Sequence, residues 1–176
     1  MSRQILGLDS KYTAALNNNI IFHEFMQAGS AEPRPSIETL SNAMDVGNPS
    51  NLERIISLFP NHSDLTSFIS TFTFSDEETL EGIREFYSKY NYIIDPHTSV
   101  GYLGAKKAIE LNPNSHQIIL STAHPAKFLN VIEDALNISP EIPENLQAVL
   151  KKEKKVVESG NGYSEFKEKL LQTVTH

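Results

Sequence analysis

The chain contains no cysteine, which removes disulfides, thiolate metal sites and a cysteine nucleophile together. It has no apolar run near the roughly 18 residues that a membrane span needs, and its first residues carry no signal-peptide hydrophobic core. The expectation is a soluble, cytoplasmic protein. Basic surface is also scarce. With a net charge of −7 and acidic residues spread along the sequence, no Lys/Arg face is available to displace counterions from nucleic acid. The one basic run, LKKEKK at 150–155, is interrupted by Glu and reads as a solvated helix face. Two catalytic signatures are missing as well. Without G-x-S-x-G there is no nucleophile elbow, and without H-x-x-x-H or H-x-H no metal site is expected. No internal repeat or low-complexity tract occurs.

At 176 residues and 39% hydrophobic, the chain can bury one core, or one domain with a tail. YTAAL (12–16) is β-compatible, and NNNIIFHEFMQAG (17–29) reads as a short capped helix closing at Gly29. After the extended AEPRPS comes SNAMDVGNPSN (41–51), a loop dense in Asn, Asp, Gly and Pro. An amphipathic helix follows at 51–59, and SFISTFTF (67–74) alternates as a strand does. Ser75 and Glu78 have capping-box spacing ahead of a helix at 76–89. A strand is predicted at 90–95, then a helix at 96–111 with Pro96 in its first turn. A second strand is predicted at 117–122, then a helix at 124–137. Residues 144–176 read as two polar helices. The β-α-β-α-β-α order implies an α/β fold with an open, mainly parallel sheet and helices on both faces. The organisation expected is an unassigned segment 1–11, an α/β core 12–140 and a helical tail 141–176.

Ligands of open parallel sheets bind beyond the carboxyl ends of strands, where helix N-termini converge. Two such junctions are unusually polar. IIDPHTS offers Asp95, His97, Thr98 and Ser99; LSTAHPAK offers Ser121, Thr122, His124 and Lys127. The same residues are also good helix caps, so residue chemistry alone leaves both roles open. GYLGAKK at 101–107 has a phosphate-loop look but lies inside a helix rather than opening one, which favours helix packing.

Three blocks carry a resemblance: SNAMDVGNPSN (41–51), DPHTSVGY (95–102) and STAHPAKF (121–128), supported by FTFSDEETLEGIREFY. In order and spacing they resemble threonine synthase, longer-chain branch, a pyridoxal-phosphate lyase of tryptophan-synthase-like fold. The likeness runs from about residue 12 to near 173. Family members are far longer, and their Schiff-base lysine and cofactor-phosphate loop precede everything matched here. The resemblance therefore implies a C-terminal portion, part of the large cofactor-binding domain, inactive by itself and partnered by the N-terminal portion of the same enzyme. The implied reaction converts O-phospho-L-homoserine and water to L-threonine and phosphate.

By the same resemblance Thr122 would face the cofactor's pyridine nitrogen and Asp95 would sit near the ring. The substrate would be met by Asn42, Asp45, Asn48, Asn51 and Arg54, with Ser50–Asn51 opening a helix as an anion site. His97 and His124 would pack or support at helix starts. Lys127, Lys106 and Lys107 are not expected to hold the cofactor. Two other readings compete: a related pyridoxal-phosphate dehydratase or sulfhydrylase, and a non-enzymatic α/β module.

Overall fold

A computed structural model describes residues 10–174; most of the segment 1–11 lies outside the described residues. The chain divides into two compact units, the second beginning at Ile142. In the first unit, β1 (Tyr12–Leu16) pairs in parallel with β2 (Ile69–Thr73), in register from Tyr12 against Ile69 to Leu16 against Thr73. The helices of this unit are α1 (Ile21–Ala28), α2 (Leu52–Leu58), α3 (His62–Phe68), α4 (Asp76–Tyr90), α5 (Pro96–Leu111) and α6 (Leu129–Leu136).

Local chemistry sets the ends of these elements. The Ser75 hydroxyl accepts from the Glu78 N–H while the Glu78 carboxylate accepts from the Ser75 N–H, so α4 opens on a complete capping box. Three acidic residues in its first turn complement the helix dipole. Asn91 closes it in the left-handed region at φ 49°. Pro96 is the first residue of α5, where a missing N–H costs nothing. Gly29 closes α1 at φ 76°.

The α/β parallel class expected from the sequence is the one found, with a smaller sheet. The segments 90–95 and 117–122, expected as strands, are not paired into the sheet, which has two strands among the described residues. Ile94 is buried and Ile119 packs on the same core, yet Ile118 and Leu120 are 90% and 81% exposed. Apolar residues thus occupy both sides of the 117–122 segment, the pattern of a strand covered on two faces, while the ladder itself is absent. Two further differences are local. The helix expected from 17 begins at Ile21, because Asn17 and Asn19 are drawn into side-chain hydrogen bonds. The turn of helix α3 precedes β2 where only a strand was expected.

Two apolar clusters support the unit. Ile83, Ile94, Tyr102, Ile132 and Ala135 join α4, α5 and α6. Phe25, Met26 and Leu65 join α1 and α3, with Leu52 and Phe59 of the α2 region against them. The glycines of GYLGAKK serve packing: a Cβ at Gly104 would lie 2.7 Å from the Ala15 Cβ, so α5 approaches β1 closely there. The second unit contains α7 (Glu144–Leu150) and α8 (Tyr163–Val174).

Candidate active site

The carboxyl end of β1 runs into a polar knot. Asn17, 6% exposed, directs its amide nitrogen at Thr39 Oγ1 (2.9 Å), Ser41 Oγ (3.0 Å) and Asp45 Oδ1 (2.9 Å). Asn19 donates to the Ile37 carbonyl and to Asp45 Oδ1 (2.8 and 3.0 Å) and accepts from the Ile37 N–H. Asp45 also accepts from the Thr39 N–H at 2.8 Å and the Thr39 hydroxyl at 2.6 Å. Its carboxylate is therefore occupied in fastening the 37–45 loop to the strand end, and what it presents outward is reduced accordingly. The other residues anticipated for the substrate, Asn42, Asn48, Asn51 and Arg54, are exposed along the same loop and the start of α2. No hydrogen bond joins them to one another among the described residues. Asn51 makes no side-chain cap, and α2 has only seven residues.

A second knot forms at the start of α5. Asp95, fully buried, accepts from the His97 backbone N–H (3.0 Å), from His97 Nδ1 (2.9 Å) and from the Thr98 hydroxyl. Burial pushes its carboxyl up, but the His97 ring, the Thr98 hydroxyl and the His97 N–H together outweigh burial and hold it below the usual aspartate range. Ser121 Oγ lies 3.0 Å from Thr98 Oγ1. The two polar junctions singled out in the sequence are thus linked through Thr98. Thr122, the next residue, is exposed. No hydrogen bond engages its hydroxyl among the described residues.

His124 Nδ1 accepts from the Ala126 N–H at 3.1 Å, capping a single 3-10 turn, Pro125–Lys127. Lys127 is exposed in that turn. Lys106 is paired with Glu85, and Lys107 with Glu110.

The two knots bound a cleft of about 120 Å³, smaller than the roughly 300–1,000 Å³ of complete small-molecule pockets. Ala15, Leu16, Asn17 and Asn19 form one side at the end of β1; Ser41 and Met44 come from the loop, and His97 and Val100 from α5. Asp95 stands behind His97, and Thr122 is not part of the lining. Sequence reading missed Asn17, Asn19, Ser41 and Met44. The available signal was the Asn17–Asn19 run placed directly after a strand, at the end where parallel sheets bind ligands.

His97 is the one lining side chain with an unused buried polar atom. Asp95 takes its Nδ1, and the Phe128 ring packs against it at 5.0 Å between centroids. Its Nε2 is buried and has no hydrogen-bond partner. No lysine or arginine lines the cleft.

A parallel α/β unit with a cleft at the carboxyl end of a strand, walled by two amides, one hydroxyl and an aspartate-held imidazole, has the placement of small-molecule sites in open α/β sheets. A family profile described as "Threonine synthase, C-terminal" matches residues 98–169. A threonine synthase of Haemophilus influenzae is 36% identical over 143 residues, covering 80% of this chain and 33% of the relative. The crystal structure of threonine synthase from Escherichia coli superposes with a TM-score of 0.79 at 27% identity, covering 93% of this chain and 37% of that one. A structure described as pyridoxal-phosphate-bound threonine synthase from Brucella melitensis shares the fold, with a TM-score of 0.70 at 24% identity over 82% of this chain and 36% of its own. The chain belongs to the threonine synthase family. It spans about a third of the length of the curated relatives it matches.

Proposed function

We propose that these residues supply one wall of the cofactor and substrate cleft of a pyridoxal-phosphate-dependent lyase, which at full family length converts O-phospho-L-homoserine and water to L-threonine and phosphate. The observation that carries this is the cleft itself, framed by segments that resemble the family and closed by an imidazole with a free buried nitrogen. Its lining, apolar apart from two amides, one hydroxyl and an imidazole and without a cation, suits the ring of the cofactor rather than its phosphate. When bound, pyridoxal phosphate would supply the electron sink for proton loss from the amino-bearing carbon and then from the carbon beside it.

The chain's own residues orient and tune. The family resemblance alone assigns the Thr122 hydroxyl to the ring nitrogen, without a carboxylate's charge; in this structure Thr122 is exposed and stands outside the lining of the cleft. Asp95 acts through His97 and Thr98, fixing both in the first turn of α5. Asn42, Asn48, Asn51 and Arg54 present exposed donors to the substrate's phosphate, while Asp45 keeps their loop seated on β1. The chain by itself is inactive in this reading, since none of its lysines lines the cleft.

The test joins this chain to the N-terminal two thirds of the Haemophilus influenzae relative and measures phosphate release from O-phospho-L-homoserine. Release is expected, and it falls when Thr122 is replaced by Ala; a soluble chimera without release counts against the reading. The 176-residue chain mixed with pyridoxal phosphate is expected to show the absorbance of the free cofactor. A borohydride-reducible adduct at a single lysine, Lys127 for instance, would overturn that part.

A further inference from the structure

The sequence holds one Asn-Gly pair, Asn161–Gly162, in the segment that leads into α8. Both residues are exposed, and among the described residues no hydrogen bond engages the Asn161 carboxamide or the Gly162 N–H. The contacts around them pass them by. The Gly160 N–H donates to Glu165 Oε1 at 3.0 Å, and the Gly162 carbonyl accepts from the Phe166 N–H at 3.0 Å. A Cβ built at Gly162 would meet nothing within 4 Å. The segment therefore presents an amide carbon and, directly after it, an unencumbered backbone nitrogen, both in water.

Asn114–Ser115 is the informative contrast. Asn114 is exposed too and is followed by a small residue, but the Ser115 N–H donates to the Asn112 carbonyl at 3.0 Å and is held in that turn. Access alone does not permit reaction between neighbours. The backbone must rotate until the following nitrogen meets the side-chain carbon, and glycine, lacking Cβ, puts the least bulk in the way.

We propose that Asn161 is a site of spontaneous deamidation, with water as the only co-reactant. The Gly162 nitrogen bonds to Asn161 Cγ, the Cγ–Nδ2 bond breaks, and Nδ2 leaves as ammonia with the proton of the Gly162 N–H. Water then opens the cyclic imide. Attack at the side-chain carbonyl gives aspartate, and attack at the main-chain carbonyl gives isoaspartate. Either product adds a negative charge to the net −7 of the chain. The new carboxylate stands just ahead of Gly162, at the N-terminal end of α8, where the helix dipole favours it. This inference does not rest on the function proposed above.

For the test, the folded 176-residue chain is held at mildly alkaline pH in H₂¹⁸O, and its tryptic peptides are followed by mass spectrometry. A first-order gain of ¹⁸O-labelled carboxylate is expected in the peptide 156–167, which isoaspartyl methyltransferase should then label. Loss at Asn114, in the peptide 108–127, should be roughly tenfold slower, the factor of one good hydrogen bond on the attacking nitrogen. A synthetic 156–167 peptide should react at the rate of the folded chain, because no contact restrains Asn161. A synthetic 108–127 peptide should outpace the folded chain at Asn114. Gly162→Ala, whose methyl enters open space, should slow Asn161 severalfold without changing helical circular dichroism.

A folded chain much slower than the synthetic 156–167 peptide, Asn114 reacting as fast as Asn161, or a Gly162→Ala rate equal to that of the unsubstituted chain would each overturn the proposal. The unsubstituted chain and its two reference peptides decide the matter even if Gly162→Ala fails to fold.

Discussion

Asp95 and Asp45 are both carboxylates set where a loop meets a regular element, and their surroundings divide their roles. Asp95 is fully buried and takes three donors from the first turn of α5, which holds its carboxyl below the usual range against the opposing pull of burial. A carboxyl of this kind stabilises the fold fully above the ordinary aspartate value near 3.8 and loses that contribution as pH falls through its lowered folded value. The advantage of the native chain over Asp95→Asn in urea unfolding should therefore be constant above about pH 5. It should shrink steadily toward pH 2, starting from on the order of 1–3 kcal/mol. A gap that widens on acidification would contradict the arrangement. At this scale the sequence was partly legible. The run DPHTS announced a capped helix start and a polar rim, because capping residues act on their immediate neighbours. The engagement of Asp45 with Asn17 and Asn19 was not legible, since it joins residues 28 and 26 apart in sequence and depends on where the loop folds back.

At the scale of elements, sequence told most where a local device fixes a terminus: the Ser75–Glu78 capping box, Pro96 at the first position of α5, Gly29 after α1. It told least where neighbours decide. Residues 117–122 have the apolar pattern of a covered strand, but a strand is completed by the chain beside it, and the local sequence does not specify that chain. The glycines of α5 make the packing testable. Gly104 faces Ala15 of β1, with room for no methyl group, whereas a methyl at Gly101 meets only Ile119 Cγ2 at 3.2 Å, a tight contact that a shift of Ile119 by a few tenths of an ångström relieves. Gly104→Ala should force α5 away from β1 and cost about 1–3 kcal/mol, read as a Tm lowered by several degrees. Gly101→Ala, which improves helix propensity by up to about 1 kcal/mol, should be nearly neutral. Equal losses at both positions would mean that the α5–β1 approach is looser than the structure indicates.

For the first compact unit as a whole, the consequence of the unpaired segment is an apolar face with open backbone. Ile118 and Leu120 stand 90% and 81% exposed on a segment whose N–H and C=O groups join no ladder. Such an edge pairs readily with another chain, and net charge of −7 spread over the molecule opposes this only weakly once salt screens it. The chain should therefore self-associate with rising concentration, and more so with added salt. Replacing Ile118 and Leu120 together by Lys should abolish this in sedimentation velocity. Because both side chains are already in water, the Tm at low concentration should stay nearly unchanged. A large loss of Tm would mean that these residues belong to the core of the unit. A double variant that still associates would place the contact on another surface and leave the 117–122 edge closed to partners.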